Sequence, residues 1–218
     1  MRNAVPAPAE VAVEDAVAAR TLQDRSEAYA DEIRRLLDAT YAVMRRTGDV
    51  DPRVSDIVGE AGLSNQAFYR HFHGKDELLV AVLADGQRRL VDTLDARMRD
   101  VEPGAARVRA WVEGVLAQAQ RPAAAANTRP FAINGLRLAD RYPAEWGTSR
   151  DELLASLRSA LAEAGGDADD APLVYHLVMG TMQHALVRRE PPTDADVERV
   201  TRAVLALAAP GSQRASQE

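Results

Sequence analysis

The chain has 218 residues, of which 46% are hydrophobic and 28% are charged, a balance that predicts a globular protein and excludes a disordered one. Its net charge of −6 argues against a protein that coats nucleic acid non-specifically, because such binding needs an excess of Lys and Arg. The lack of cysteine excludes disulfides, thiolate metal sites and cysteine nucleophiles. No apolar run reaches membrane-spanning length and acidic residues interrupt the early sequence, so we expect no signal peptide, no membrane span and a cytoplasmic location.

The first part of the chain changes character near residue 24. Residues 1–24 are rich in Ala, Val, Pro and Glu, lack aromatic residues and have weak periodicity, so we expect a flexible arm. From Ser26 onward, apolar residues recur at spacings of three and four, which predicts an amphipathic helix that ends near Gly48.

Two short helices are predicted next, separated by a glycine-containing turn. Asp51 caps the first, which has Pro52 at its first helical position and ends at Ala61. Ser64 caps the second, which covers residues 65–72. Apolar residues of this region can form a small core beneath the preceding helix: Val54, Ile57, Val58, Ala61, Leu63, Phe68 and Phe72.

The remaining sequence is predicted to be helical, with breaks at glycine and proline. The predicted segments are 75–101, 105–120, 131–142, 151–164, 170–189 and 193–208. We find no strand alternation, so the predicted fold class is all-α. It comprises a three-helix domain over residues 25–74, a larger helical domain over residues 75–210 and a polar tail over residues 211–218.

The segment over residues 51–79, DPRVSDIVGEAGLSNQAFYRHFHGKDELL, is typical of a helix-turn-helix, whose second short helix enters the major groove of DNA. Its pattern S-D-I-V-x-x-A-G-L-S-x-x-x-F-Y-x-H-F-x-x-K-D-x-L resembles the signature of the tetracycline-repressor-like (TetR) family of transcription regulators. The close resemblance covers roughly residues 33–83. The rest matches only in helix count and length.

The resemblance implies a set of DNA-binding residues. Asn65, Gln66 and Ala67 are expected to approach base edges, and Tyr69 and Lys75 to hold phosphates. The chemistry agrees, because amides can pair bidentately with adenine, while a phenol and an ammonium group suit phosphate oxygens. The predicted set is completed by Arg53, Ser55, Arg70 and His71. Arg53 departs from the family, which often has a hydroxyl residue there.

The resemblance further implies a ligand-responsive regulator, usually a repressor, that binds a palindromic operator as a homodimer. Bulky residues of the second domain are expected to line a pocket for an unknown small-molecule effector: Trp111, Phe131, Asn134, Trp146, Tyr175, Met179, Met182 and Gln183. The last two helices are expected to pair with their copies in a second subunit through Leu173, Leu177, His184, Val200, Val204 and Leu207.

Two other classes of function stay open. The first is a helical DNA-binding protein without a small-molecule ligand, which a cavity in the second domain would argue against. The second is a small helical enzyme, although we find no catalytic residues, no cofactor motif and no metal site. His71 and His73 lie two residues apart on a helix and point to different sides, and His176 and His184 lie two turns apart.

Overall fold

The computed structural model describes residues 8–48 and 52–208, and its regular elements over those ranges are all helical. The α-helices are α1 (Pro8–Thr47), α2 (Val54–Ala61), α3 (Asn65–His71), α4 (Lys75–Arg99), α5 (Ala105–Gln120), α6 (Pro122–Arg141), α7 (Pro143–Glu163), α8 (Ala171–Arg188) and α9 (Asp194–Leu207). The predicted all-α fold class is confirmed. In the described ranges, none of the helices combines the length and the apolar character that crossing a bilayer requires.

The first helix is longer than predicted. We expected a flexible arm over residues 1–24, but α1 begins at Pro8 and continues without interruption to Thr47. After Pro8 the sequence has neither glycine nor proline until Gly48, and it is rich in Ala, Glu and Arg, so helix propensity outweighs the weak amphipathic pattern. Residues 1–7 of the predicted arm lie outside the described residues.

Three other helix starts differ from the prediction. Helix α2 begins at Val54, two residues after the predicted first position Pro52, with Arg53 as its N-cap, while the predicted cap Asp51 lies outside the described residues. Helices α6 and α7 begin at Pro122 and Pro143, whereas we predicted starts at residues 131 and 151. We had placed breaks at these prolines, but proline is well tolerated in the first turn of a helix.

A hydrophobic cluster, here called the N-terminal cluster, joins the first three helices to the start of α4. It contains two residues from α6, Phe131 and Leu138, which are distant in sequence. Its buried members are Leu36, Ala39, Tyr41, Met44, Ile57, Val58, Ala61, Phe68, Phe72, Leu78, Leu79, Val80, Val82, Leu83, Phe131 and Leu138. Val54 and Leu63 are partly buried against it, so the predicted small core is confirmed.

A second cluster, here called the C-terminal cluster, surrounds α5. Trp111 lies on α5 and is fully buried. The buried members are Leu94, Met98, Val108, Ala110, Trp111, Val112, Val115, Leu116, Ala119, Leu153, Leu154, Leu157, Ala160, Leu161, Ala171, Val174, Val178, Met182, Ala185, Leu186, Val197, Val204 and Ala208. Because these residues come from α4, α5, α7, α8 and α9, this cluster fixes the positions of those helices around α5.

Candidate nucleic-acid interface and ligand cavity

The turn between α2 and α3 is held by three sets of local interactions. Gly62 ends α2 with a φ of 63°, a left-handed conformation that glycine adopts without steric cost. The Ser64 hydroxyl accepts a hydrogen bond from the Ala67 N–H at 3.1 Å, as the predicted cap of α3. The guanidinium of Arg35, from α1, donates to the carbonyl of Ala61 at 2.6 Å. The turn therefore has a fixed position against α1.

Helix α3 presents one face to the N-terminal cluster and the other to solvent. Phe68 is fully buried, whereas Asn65 and Gln66 are exposed and the Tyr69 side chain is 62% exposed. These polar side chains project from a helix whose inner face is anchored in the core. The structure therefore leaves amide and phenol groups free to meet a partner. Arg53 and Ser55, at the start of α2, are also exposed.

A carboxylate on α1 binds the C-terminal end of α3. Glu32 Oε2 lies 2.6 Å from His71 Nε2 and 2.5 Å from Arg70 Nη2. Hydrogen bonds from His71 and then from Arg70 lower the pKa of Glu32 below its ordinary value. The ring of Tyr29 packs edge-on to His71, with ring centroids 4.3 Å apart. Sequence reasoning missed Glu32, because nothing in the α1 pattern distinguishes it from other acidic residues.

The predicted DNA-binding set is corrected at two positions. Ala67 is buried and the His71 side chain has no exposed surface, so neither belongs to the exposed face of α3. The two residues are four positions apart and lie on the same inner side of the helix. Arg70 is exposed but paired with Glu32. Lys75 is half-buried at the start of α4.

A cavity of about 800 Å³ lies between the two clusters. Its walls include Tyr41, Val82 and Phe131 from the N-terminal cluster, and Leu153 and Met182 from the C-terminal cluster. Helices α1, α4, α5, α6, α7 and α8 all contribute residues. The volume is within the usual range of small-molecule sites in proteins.

Six of the eight predicted pocket residues line this cavity: Phe131, Trp146, Tyr175, Met179, Met182 and Gln183. The other two predictions are corrected. Trp111 is enclosed in the C-terminal cluster with no exposed surface. The side-chain amide of Asn134 donates to the carbonyl of Pro130 at 2.9 Å, within its own helix. Sequence reasoning missed the cavity residues of α1 and α4, such as Tyr41 and Gly86.

One wall of the cavity is a close contact between α1 and α4. The Tyr41 hydroxyl donates to the carbonyl of Val82 at 2.7 Å. A Cβ atom at Gly86 would lie 2.8 Å from that hydroxyl, so this approach requires glycine. Burial raises the pKa of Tyr41 well above its ordinary value. The hydroxyl is therefore a neutral donor that links the two helices.

Helix α6 connects the cavity to the N-terminal helices by polar contacts as well. Arg45 of α1 donates to the side-chain oxygen of Asn127 at 3.3 Å. Asp76, in the first turn of α4, pairs with Arg137 at 3.2 Å and with Arg141 at 3.3 Å. A shift of α6 would therefore disturb its polar contacts with both α1 and α4.

Helix α8 leaves an apolar face in solvent. Leu173, Leu177 and Val187 are exposed, Leu173 by 57%, although all three are large apolar residues. Gly180 and His184 lie between them on the same side and are also exposed.

Of the predicted interface residues on α9, Val204 is corrected, whereas Val200 and Leu207 stay predictions. Val204 is fully buried in the C-terminal cluster, and Val200 and Leu207 are half-buried against it, because the apolar stripe of α9 faces its own chain. The residues that α9 leaves exposed are small or charged, including Glu198, Arg199, Arg202 and Ala203.

The histidines take part in local contacts. Within the part of the chain that the structure describes, no group of three or more His, Cys, Asp or Glu residues is placed to hold a metal ion. His176 lines the cavity, and its Nδ1 lies 2.6 Å from the carbonyl of Pro172.

The sequence comparisons identify relatives of the N-terminal region. Residues 36–82 match the tetR family of bacterial regulatory proteins. Over 83 residues the chain is 35% identical to the HTH-type transcriptional regulator BetI of Cronobacter sakazakii, an alignment that covers 37% of this chain and 41% of BetI. The chain thus spans less than half the length of this curated relative.

The fold is shared with solved structures over most of the chain. A TetR transcription regulator from Haloarcula marismortui has a TM-score of 0.65 at 18% identity, covering 82% of this chain and 97% of that one. The transcriptional regulator FadR from Bacillus subtilis, in complex with stearoyl-CoA, has a TM-score of 0.60 at 17% identity, covering 81% and 97%. These matches are to regulators, in agreement with the prediction that the chain is not an enzyme. Residues 36–82 thus match the tetR family of bacterial regulatory proteins, and over most of its length the chain has the fold of solved TetR-family regulators.

Proposed function

We propose that this regulator binds a palindromic DNA operator as a homodimer, acts as a repressor, and releases DNA when a small molecule enters its cavity. The exposed polar face of α3 carries the proposal. Asn65 and Gln66 can pair with adenine in the major groove, and Tyr69 can bind a phosphate. Contacts from Arg35 and Glu32 to the α2–α3 unit hold this face rigid.

The exposed face of α8 supports a dimer. Its apolar residues Leu173, Leu177 and Val187 would be covered if two copies of α8 packed about a two-fold axis. Gly180 lies on the same face with no atom within 4 Å of its Cβ position, so the backbones of two helices could approach closely there. A two-fold dimer would place two α3 helices on the two halves of a palindrome.

The cavity supports control by a ligand and weighs against the alternative of a DNA-binding protein without one. A ligand between the two clusters would contact Tyr41 of α1 and Val82 of α4 directly. These helices carry the α2–α3 unit, so a ligand that prefers one arrangement of α1 and α4 would change the spacing of the two α3 helices. FadR of Bacillus subtilis, which shares the fold, has been solved with stearoyl-CoA bound.

Selection of binding sites from random duplex DNA, at a stated salt concentration, tests the DNA-binding function. We expect a palindromic consensus. Asn65→Ala should relax the preference at one symmetric position, at a cost of about 1–3 kcal/mol per bidentate contact. Tyr69→Ala should weaken binding to all sites alike.

A control and an opposing outcome complete this test. Gln23→Ala removes an exposed amide from α1, far from α3 in sequence, and should leave the selected sites unchanged. Absence of any enriched sequence would contradict the proposal.

The oligomeric state tests the dimer. Light scattering after size-exclusion chromatography should give a dimer for the wild-type chain and a monomer for Leu177→Glu, because a charge would be buried in the α8 interface. Leu22→Glu is the matched control, since Leu22 is an exposed leucine on α1. A wild-type monomer, or a Leu177→Glu dimer of unchanged stability, would contradict an interface through α8.

A further inference from the structure

We propose that the cavity binds an amphipathic carboxylate, with its apolar chain between the two clusters and its acid group against Arg150 of α7. The proposal rests on the proposed function only in treating this ligand as the effector that controls DNA binding. Binding of the ligand itself depends on the cavity alone.

The interior of the cavity is apolar. Leu83, Phe131, Leu153 and Met182 are buried residues that line it, and the indole of Trp146 adds to the same surface. Transfer of an alkyl chain from water into such surroundings is favourable in proportion to the apolar area covered. A wholly polar ligand would leave these walls without a suitable partner, so the ligand must have a substantial apolar part.

The charged residues of the cavity are exposed at its rim and are mostly cationic. Among the described lining residues, the guanidinium groups belong to Arg45, Arg89 and Arg150, and the one carboxylate belongs to Asp38. This excess of positive charge favours an anionic ligand over a cationic one.

At the end of the cavity formed by α1 and α4, Arg45 and Arg89 both make contacts that join two helices. Arg89 pairs with Asp85 at 2.8 Å and with Asp38 at 3.6 Å, so its charge is already balanced by two carboxylates. Arg45 donates to Asn127 at 3.3 Å, which links α1 to α6. A ligand carboxylate at this end would have to compete with contacts that join α1 to α6 and α4 to α1.

The end formed by α7 and α8 has one cation among its described lining residues, Arg150, whose ion pair lies within a single helix. Among the side chains that the structure describes, Arg150 pairs with its sequence neighbour Asp151 at 3.3 Å, and the two side chains are 50% and 67% exposed. A pair this exposed contributes little, so the guanidinium can turn to a ligand at small cost. Asp151 does not line the cavity, whereas Tyr175 and His176 do, beside Arg150.

The chemistry of this end favours a carboxylate. A guanidinium can donate two parallel hydrogen bonds to the two oxygens of a carboxylate. The Tyr175 hydroxyl can supply a further donor, because a phenol is protonated at neutral pH and burial raises the pKa of Tyr175 further above its ordinary value. The acid group would therefore be held at the rim while the chain enters the apolar interior.

Calorimetric titration of the full chain without DNA tests the site, with decanoate, decan-1-ol and decylammonium at pH 7 as the probes. The three probes share one chain length and differ in charge. We expect decanoate to bind about tenfold more tightly than decan-1-ol, as one charge-assisted contact at an exposed rim provides, and decylammonium to bind most weakly. Tightest binding by decylammonium, or no binding by decanoate, would overturn the proposal.

Two variants localise the acid group. Arg150→Gln should weaken decanoate about tenfold and leave decan-1-ol unchanged, because only the charged contact is lost. Arg158→Gln removes an exposed guanidinium of the same helix that does not line the cavity, and should change neither affinity. Equal affinity of Arg150→Gln and wild type for decanoate would overturn the assignment. Because DNA is absent, failure of the chain to bind an operator would contradict the proposed function without altering these results.

Discussion

The N-terminal and C-terminal clusters are both made of buried aliphatic and aromatic residues, but they support different surfaces. The N-terminal cluster anchors α3, whose outward residues follow directly from the helical repeat once Phe68 and Phe72 point inward. The C-terminal cluster supports one side of a cavity whose lining depends on how six helices meet. One surface is a property of a single helix, whereas the other is a property of the tertiary packing.

Helix α6 joins the two regions. Its Phe131 and Leu138 belong to the N-terminal cluster, while Ala125 and Ala132 pack against the C-terminal cluster. The predicted division of the chain at residues 74 and 75 therefore does not coincide with a boundary between cores. We therefore expect the two clusters to lose structure together on unfolding.

The largest expected effect comes from Phe68→Ala, which removes a fully buried ring from the N-terminal cluster. Truncation of such a residue leaves a cavity and should lower the free energy of unfolding by about 3–5 kcal/mol. Urea titration followed by far-UV circular dichroism measures the loss. In a Trp146→Phe background, which removes the tryptophan packed against the N-terminal cluster, the fluorescence of Trp111 reports on the C-terminal cluster and should follow the same transition.

The neighbouring residue provides the control for this substitution. Tyr69 is mostly exposed, so Tyr69→Ala should change the free energy of unfolding by no more than about 0.5 kcal/mol. If Phe68→Ala separated the circular dichroism and fluorescence transitions, the two clusters would be independent folding units and the coupling through α6 would be wrong.

A glycine substitution tests the C-terminal cluster in the same way. A Cβ atom at Gly114 of α5 would overlap Leu94 Cδ2 of α4. Gly114→Ala should therefore displace the buried Leu94 side chain and cost about 1–3 kcal/mol. Gly59→Ala is the counterpart on α2, where nothing lies within 4 Å of the Cβ position, and should instead stabilise by about 0.5–1 kcal/mol. Thermal unfolding distinguishes the expected destabilisation by Gly114→Ala from the expected stabilisation by Gly59→Ala. If both substitutions stabilised the protein, α4 and α5 would pack less closely than in the structure.

The contact between Tyr41 and Gly86 tests the wall where the cavity meets the N-terminal cluster. Tyr41→Phe removes the hydrogen bond to Val82 and should cost about 1 kcal/mol. Gly86→Ala should also destabilise, because its Cβ atom would displace the Tyr41 hydroxyl. In the Tyr41→Phe background the hydroxyl is gone, so Gly86→Ala should become neutral or stabilising by up to about 1 kcal/mol.

The double-mutant cycle isolates this contact from the rest of the wall. Urea denaturation of the wild type, both single variants and the double variant gives the four free energies. Additive effects would mean that the two side chains do not share the space that the structure assigns to them.

The sequence predicted the fold and the exposed face of α3 better than it predicted the cavity. Spacing is enough to place Phe68 inside and Asn65 outside, because one helix against one core has a single inner face. It did not place His71, whose burial depends on Tyr29 and Glu32 of a distant part of α1. The burial of His71 therefore depends on its tertiary partners and not on the local sequence pattern.

The cavity lining could be predicted only in part. The size of an apolar side chain does not tell whether the residue lines a cavity or lies in a hydrophobic core. Trp111 and Trp146 are both large and aromatic, yet the first is enclosed by α5 neighbours and the second faces the cavity. Val204 similarly suits an interface by composition but lies in its own chain's core. Tyr41 and Gly86 were missed because their role depends on the approach of α1 to α4.

The smallest expected effect is a pH dependence specific to the contact between α1 and α3. The pKa of folded Glu32 lies below its ordinary value of 4.5, so its stabilising contribution is complete above that value and is lost as the pH falls through the lowered pKa. Glu32→Gln should therefore lower the melting temperature at pH 7, and the gap from wild type should close as the medium is made acidic. Glu198→Gln makes the matching test beside the C-terminal cluster, because contact with Arg109 lowers the pKa of Glu198. Melting curves recorded at a series of pH values measure this difference in melting temperature. If the difference between wild type and Glu32→Gln persisted in acid, the ionised carboxylate would not be the group that holds α3 to α1.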